Sequence, residues 1–157
     1  MSVSIIIGDA LQVNGKYLCH QVNPYGVMGA GIAKQIKAKY PTNFEIYYKY
    51  CCEHSEDEVI GKILPVEEAD GKTIINMFSQ NGIGTTHQQT NYEAFRICLY
   101  KIAELVPMNE TIVMPYLIGC GLAGGDWNII EGYIRDILGL THEVLLYDID
   151  GLSRKNS

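Results

Sequence analysis

Six short apolar or β-branched runs alternate with stretches of helical spacing along this 157-residue chain. The runs cover residues 3–7, 17–22, 59–64, 73–78, 111–117 and 143–147, each bounded by turn residues, and read as strands. Between them, residues 29–39 carry Ile32, Ile36 and Tyr40 at helical spacing. Thr42-x-x-Glu45 is a capping-box pattern ahead of Phe44, Tyr47, Tyr48 and Cys51. Thr90-x-x-Glu93 repeats it ahead of Tyr92, Phe95, Leu99 and Ile102. Asp126 can cap a fourth helix with Ile130, Tyr133, Ile134 and Ile137 inward. Tyrosines at these spacings read as core packing, and Glu56-Asp57-Glu58 as a solvated helix end. Strands alternating with helices predict an α/β fold, a three-layer α/β/α sandwich in one domain over residues 1–157. The ordered part runs from about residue 3 to 150, and a polar tail follows.

Composition narrows the function classes. With 47% hydrophobic and 19% charged residues, the chain is neither a disordered tail nor a coiled coil. Its apolar stretches are shorter than the ~20 residues a bilayer requires, and no basic segment precedes an apolar one at the start. Neither a membrane partner nor a signal peptide is expected. A net charge of −6 argues against binding to a nucleic-acid backbone, which needs a basic footprint. Five cysteines without a CxxC pair predict reduced thiols in a cytoplasmic protein. Cys51-Cys52-Glu53-His54 is too contiguous, with no second pair, to predict a metal site. No cofactor is predicted.

In sheets of this kind, ligands bind where loops leave the carboxyl ends of the strands. Three segments fall there: Gly8-Asp9, the loop ending in Gly29-Ala30-Gly31, and residues 119–126. The run Met28-Gly29-Ala30-Gly31-Ile32-Ala33-Lys34 follows a strand and opens a helix. Small residues let a ligand approach the backbone, and the first turn offers unpaired N–H groups. Residues 118–127 repeat the arrangement, with Gly119, Gly121, Gly124 and Gly125 inside seven positions. Two such loops at one sheet edge could grip two phosphates, or a phosphate and a sugar. Gly119-x-Gly121-x-x-Gly124, with Asp148 after a later strand, also matches a dinucleotide fingerprint, and an NAD-dependent oxidoreductase is the rival reading. That fingerprint normally opens a half-domain of several strands, whereas one helix and one strand follow here. Asp9 could accept a hydrogen bond from an exocyclic amine such as that of adenine, or cap a turn. His20, His87 and Asp126 are the candidates for acid–base chemistry, although the helix cap is the stronger reading of Asp126.

Gly8-Asp9-Ala10, His20-Gln21-Val22-Asn23, Met28-Gly29-Ala30-Gly31-Ile32-Ala33 and the run from Met114-Pro115 to Gly121-Leu122, with Trp127 after it, together resemble the macrodomain family. The similarity is closest to the branch holding terminal ADP-ribose–protein glycohydrolases and ADP-ribose 1″-phosphate phosphatases. The resemblance implies a mixed central sheet and an ADP-ribose site. In it, Asp9 would read the adenine amine beside Ala10 and Ile149. Gly29, Ala30, Gly31 and Ile32 would border the distal ribose and phosphate, with Asn23 nearby. Ile118, Gly119, Cys120, Gly121, Leu122 and Ala123 would wrap the pyrophosphate and distal ribose. Met28, Ser79 and Leu117 complete the implied set. The glycohydrolase branch uses a lysine after the strand preceding the polar loop and an acid in the second glycine loop. Gln80 and Ala123 stand at those positions here. The loop 79–87, with its small residues and a histidine, is more similar to the phosphatase branch. The resemblance therefore implies a hydrolase of an ADP-ribose derivative, such as ADP-ribose 1″-phosphate, with ADP-ribose or ADP-ribosylated protein as the partner. The alternative is a module that binds ADP-ribose without turning it over.

Overall fold

A computed structural model describes residues 2–83, 88–121 and 123–156. Six strands form one sheet: β1 (Ser2–Ile7), β2 (Tyr17–Val22), β3 (Ile63–Glu67), β4 (Thr73–Phe78), β5 (Thr111–Pro115) and β6 (Glu143–Asp148). Their order is β1-β6-β5-β2-β4-β3. Every pairing is parallel except β3 with β4. The sheet is mixed, with a single antiparallel strand at one edge.

Alternation along the strands sends side chains to two helical layers. On one face, Cys19, Ile75, Met77, Ile112, Met114, Val144 and Leu146 pack with Phe95, Cys98, Leu99 and Ile102 of α4 (Tyr92–Leu105). Ile130 of α5 (Trp127–Tyr133) and the π-helical turn Ile134–Leu138 join them. On the other face, Leu18, Ile74 and Val113 meet Ile36 of α1 (Gly31–Lys39). Val22 and Phe78 meet Tyr47 of α2 (Pro41–Glu53) and Val59 of α3 (Glu56–Val59). The α/β/α sandwich is therefore three-layered.

Several local expectations shift. The strand expected over 59–64 is shifted towards the C-terminus, and only Ile63 and Leu64 of that run lie in it. Ser55 and Glu58 form a capping box that starts α3, Gly61 takes φ +88°, and β3 begins at Ile63. Thr42 does not cap α2, because Pro41 occupies the first turn and Tyr40 is the N-cap. Asn91, not Thr90, caps α4, its side chain accepting from the Ala94 N–H at 2.9 Å. Tyr48 is 51% exposed instead of facing inward with Tyr47. Strand β5 stops at Pro115, and Leu117 takes φ +63°. Asp126 caps α5 as the sequence predicts, accepting from the Asn128 N–H. All five cysteines are free, and no described helix is long and apolar enough to cross a membrane.

Candidate functional site

The parallel strands β1, β2, β5 and β6 end at one edge of the sheet. The connection after β2 leads towards β3 and that after β5 towards β6, so the chain leaves this edge in opposite directions. A crevice opens where the order reverses. The cavity there has a volume of about 600 Å³, within the range of small-molecule sites.

One wall is the start of α1. Ala30 is its N-cap, in extended conformation and without a side-chain cap bond. Lys34 is bonded back to the Ala30 carbonyl at 3.3 Å. The N–H groups of Gly31, Ile32 and Ala33 therefore lack intrahelical acceptors. These residues line the cavity with Gly29 and Ala30. Gly31 takes φ +57°, which an L side chain rarely adopts.

The opposite wall is the turn after β5. The Gly125 N–H donates to the Gly119 carbonyl at 2.9 Å, closing a tight loop. A Cβ on Gly125 would lie 2.5 Å from that carbonyl oxygen, so this glycine is sterically required. A Cβ on Gly121 would meet nothing within 4 Å. Gly121, Gly119, Ile118, Leu117 and Ala123 all line the cavity. Leu117 in the left-handed region is a strained residue at the site.

A side-chain relay joins this wall to the end of β4. The Gln21 amide donates to Thr90 Oγ1 at 3.0 Å and accepts from Ser79 Oγ at 2.8 Å. Thr90 Oγ1 in turn donates to the Gly119 carbonyl at 2.6 Å. Asp9 sits half-buried after β1. Its Oδ1 accepts from the Leu11 N–H at 2.9 Å, capping the 3-10 turn Ala10–Gln12. Its Oδ2 has no partner among the described residues. Asp148 lines the cavity but is occupied by the Ser153 N–H and hydroxyl and by the Leu152 N–H. Desolvation pushes its pKa up, and these hydrogen bonds outweigh it and hold the carboxyl below the usual range. None of the described lining residues is Lys, Arg or His. An anionic ligand here would be held by backbone N–H groups, not by side-chain cations.

Residues 19–133 match the family model described as Macro domain. The chain belongs to the Macro domain family. The macrodomain is 33% identical over 127 residues to a Mycobacterium tuberculosis protein described as DNA ADP-ribosyl glycohydrolase. That match covers 79% of this chain and 35% of the relative, so the chain spans about a third of the length of the curated relatives it matches first. Among solved structures, a protein of unknown function from Bacteroides thetaiotaomicron superposes with a TM-score of 0.83 at 28% identity, covering 95% of this chain and 99% of that one. The macrodomain of Mycobacterium tuberculosis DarG superposes at 0.75 and 29% identity, covering 94% and 97%.

Within the macrodomain, the cavity gathers Asp9, Ala10, Asn23, Gly29, Ala30, Gly31, Ile32, Leu117, Ile118, Gly119, Gly121, Ala123 and Ile149. Asn23 lines it while holding its own loop. Its Oδ1 accepts from the Tyr25 N–H and the Tyr47 hydroxyl, and its Nδ2 donates to the Val27 carbonyl. Gln80 and Ala123, the positions at which the resemblance would put a lysine and an acid, both line the cavity.

Other expected residues lie elsewhere. His20 points to the opposite, α2 face of β2, fully buried, with Nε2 2.7 Å from Asn76 Oδ1. Burial, only partly opposed by that bond, pulls its pKa down to about 4, so it is a neutral core residue and not a base at the cavity. Met28 is buried against Val22, Tyr47 and Phe78. Ser79 is buried and reaches the site only through Gln21. Cys120 does not line the cavity, and burial together with Asp126 pushes its thiol up to about 12. Asp126 also lies outside the lining, occupied with its cap. His87 and Leu122 lie outside the described residues. Sequence reasoning missed Gln21 as a lining residue, along with Tyr147 and Asp150. Position 21 sits within the quoted His20–Asn23 motif, one alternation step from His20, and that parity was the available signal.

Proposed function

We propose that this macrodomain binds ADP-ribose, with the pyrophosphate between the two small-residue turns and adenine beside Asp9 and Ile149. The observation that carries this reading is the convergence of α1's unpaired N–H groups and the Gly119–Gly121 turn on one cavity, beside a carboxylate with a free oxygen. The ADP-ribosyl chemistry named for the mycobacterial relative supports it. ADP-ribose at a hundredfold its dissociation constant should stabilise the fold by about 2.7 kcal/mol, on the order of 5–10 °C in Tm. NAD should do less, because its nicotinamide crowds the distal turn. Equal or greater stabilisation by NAD would favour a dinucleotide-dependent oxidoreductase.

Turnover of an ADP-ribose derivative is the second reading, favoured by the glycohydrolase relative. Gln80 cannot form an imine with an opened ribose and Ala123 cannot act as a base. The reaction that suits this cavity is thus release of phosphate from ADP-ribose 1″-phosphate, with His87 as the remaining candidate for positioning water. A turnover assay should offer that compound beside ADP-ribosylated peptide and ADP-ribosylated oligonucleotide. Phosphate release that falls in His87→Ala supports this reading; rapid release from peptide or DNA by the unaltered chain overturns it.

A further inference from the structure

A second cavity lies at the other end of the sheet. It has a volume of about 400 Å³ and is lined by Leu11–Lys16, Lys39, Tyr40 and Asp70–Lys72. Lys16 and Lys72 immediately precede β2 and β4, whose carboxyl ends face the first cavity. Six-residue strands rising roughly 3.3 Å per residue separate the two by about 20 Å.

Lys72 is 7% exposed. Its ammonium donates to the Val13 carbonyl at 2.9 Å, and the Lys39 ammonium donates to the Leu11 carbonyl. Neither forms an ion pair among the described residues. Lysine is rarely buried without a counter-charge, and the charges acting on Lys72 include a second cation, Lys39, beside Asp70. Burial and then Lys39 pull the Lys72 pKa below the ordinary lysine value, against a smaller opposing effect of Asp70. Asp70 lines the cavity, but its oxygens already accept from the Tyr40 hydroxyl and the Lys72 N–H, at 2.8 and 2.9 Å. Lys16 adds a third cation to the lining, and the side-chain amides of Gln12 and Asn14 have no partner among the described residues. The Lys39 and Lys72 ammonium groups each have three donors and each gives one to a carbonyl. In a chain of net charge −6, this is a concave site whose lining holds three lysines against the single carboxylate of Asp70, with donors to spare.

We propose that this cavity is a second ligand site, which takes the phosphate group of a small phosphorylated molecule between Lys39 and Lys72, with Lys16 at its rim. It is separate from the ADP-ribose reading, since no residue lines both cavities.

The test is residue-resolved amide NMR on the full chain at constant ionic strength, titrated with inorganic phosphate, with ribose 5-phosphate, and with chloride as control. Saturable shifts at Asn14, Gly15, Gly71 and Lys72 are expected with both phosphates and not with chloride. Tighter binding of ribose 5-phosphate assigns the site to a sugar phosphate, and equal binding assigns it to the free oxyanion. Lys39→Met with Lys72→Met, which keeps the apolar stems, should weaken these shifts at least tenfold and leave ADP-ribose shifts at Gly119 and Gly121 in place. If the unaltered chain shows no saturable shift at these amides, or the same shift in chloride, the proposal is wrong whatever the variant does.

Discussion

Asp9 spends one oxygen on the Leu11 N–H and leaves the other open. Its two roles separate experimentally. Asp9→Ala should destabilise the fold by about 1 kcal/mol through the lost cap. It should also weaken ADP-ribose by a further 1.5–3 kcal/mol or so through the lost charged acceptor. With the hypoxanthine analogue, which lacks the amine, the binding loss should shrink; equal losses in paired calorimetric titrations would make Asp9 a turn residue only. His20 makes the opposite case, a titratable group removed from chemistry by its surroundings. Its pKa of about 4 in the fold lies below the ordinary 6.5, so the unfolded chain binds the extra proton first. Stability is complete above pH 6.5 and falls as pH drops towards 4. The loss attributable to His20 is about 2 kcal/mol at pH 5. Urea melts at pH 7 and pH 5 should show that difference narrowing in His20→Gln. An unchanged pH dependence would place the acid sensitivity on other groups.

The two turns of the site are built differently from similar residues. The α1 turn presents N–H groups because a helix start leaves them over. The turn after β5 is folded on itself by the Gly125–Gly119 bond and pinned by Thr90. Two glycines of that second turn should therefore answer differently to substitution. Gly125→Ala drives a Cβ into the Gly119 carbonyl and should cost about 1–3 kcal/mol of stability, visible as a lowered Tm without ligand. Gly121→Glu enters open space. It should keep the Tm and weaken ADP-ribose about 100-fold or more, by placing an anion where the proposed site would take the pyrophosphate. Native affinity in Gly121→Glu, measured by calorimetry, would mean that the turn borders the ligand without touching it.

At the scale of the molecule, Gln80 and Ala123 come from opposite sides of α4 and share one cavity. The fold, not their separation in sequence, brings them to one cavity. If the glycohydrolase chemistry needs a lysine and an acid acting as a unit, Gln80→Lys with Ala123→Asp should raise release of ADP-ribose from modified peptide by more than the product of the single changes. General acid–base groups of this kind contribute typically 10²–10⁴-fold. Additive or absent gains in a single-turnover assay would show that the cavity does not orient the pair.

Elements, layers and both small-residue turns that line the cavity were readable along the chain, because strand alternation, helix spacing and glycine clusters are local signals carried by neighbours. The Asp126 cap of α5 is such a case. Where two local signals compete, the local reading slips. Pro41 overrode Thr42, and the Ser55–Glu58 box overrode an apolar run. Which way a strand residue faces depends on what packs against it from elsewhere. Residues 20 and 21 are adjacent in β2, yet one is sealed beneath α2 against Asn76 and the other enters the cavity. Only the strand order, which sets β4 beside β2 and reverses the connections after β2 and β5, decided that. The lysine cluster is of the same kind: Lys16, Lys39 and Lys72 are isolated charges in the sequence. They become one site because parallel β2 and β4 begin side by side and α1 ends above them.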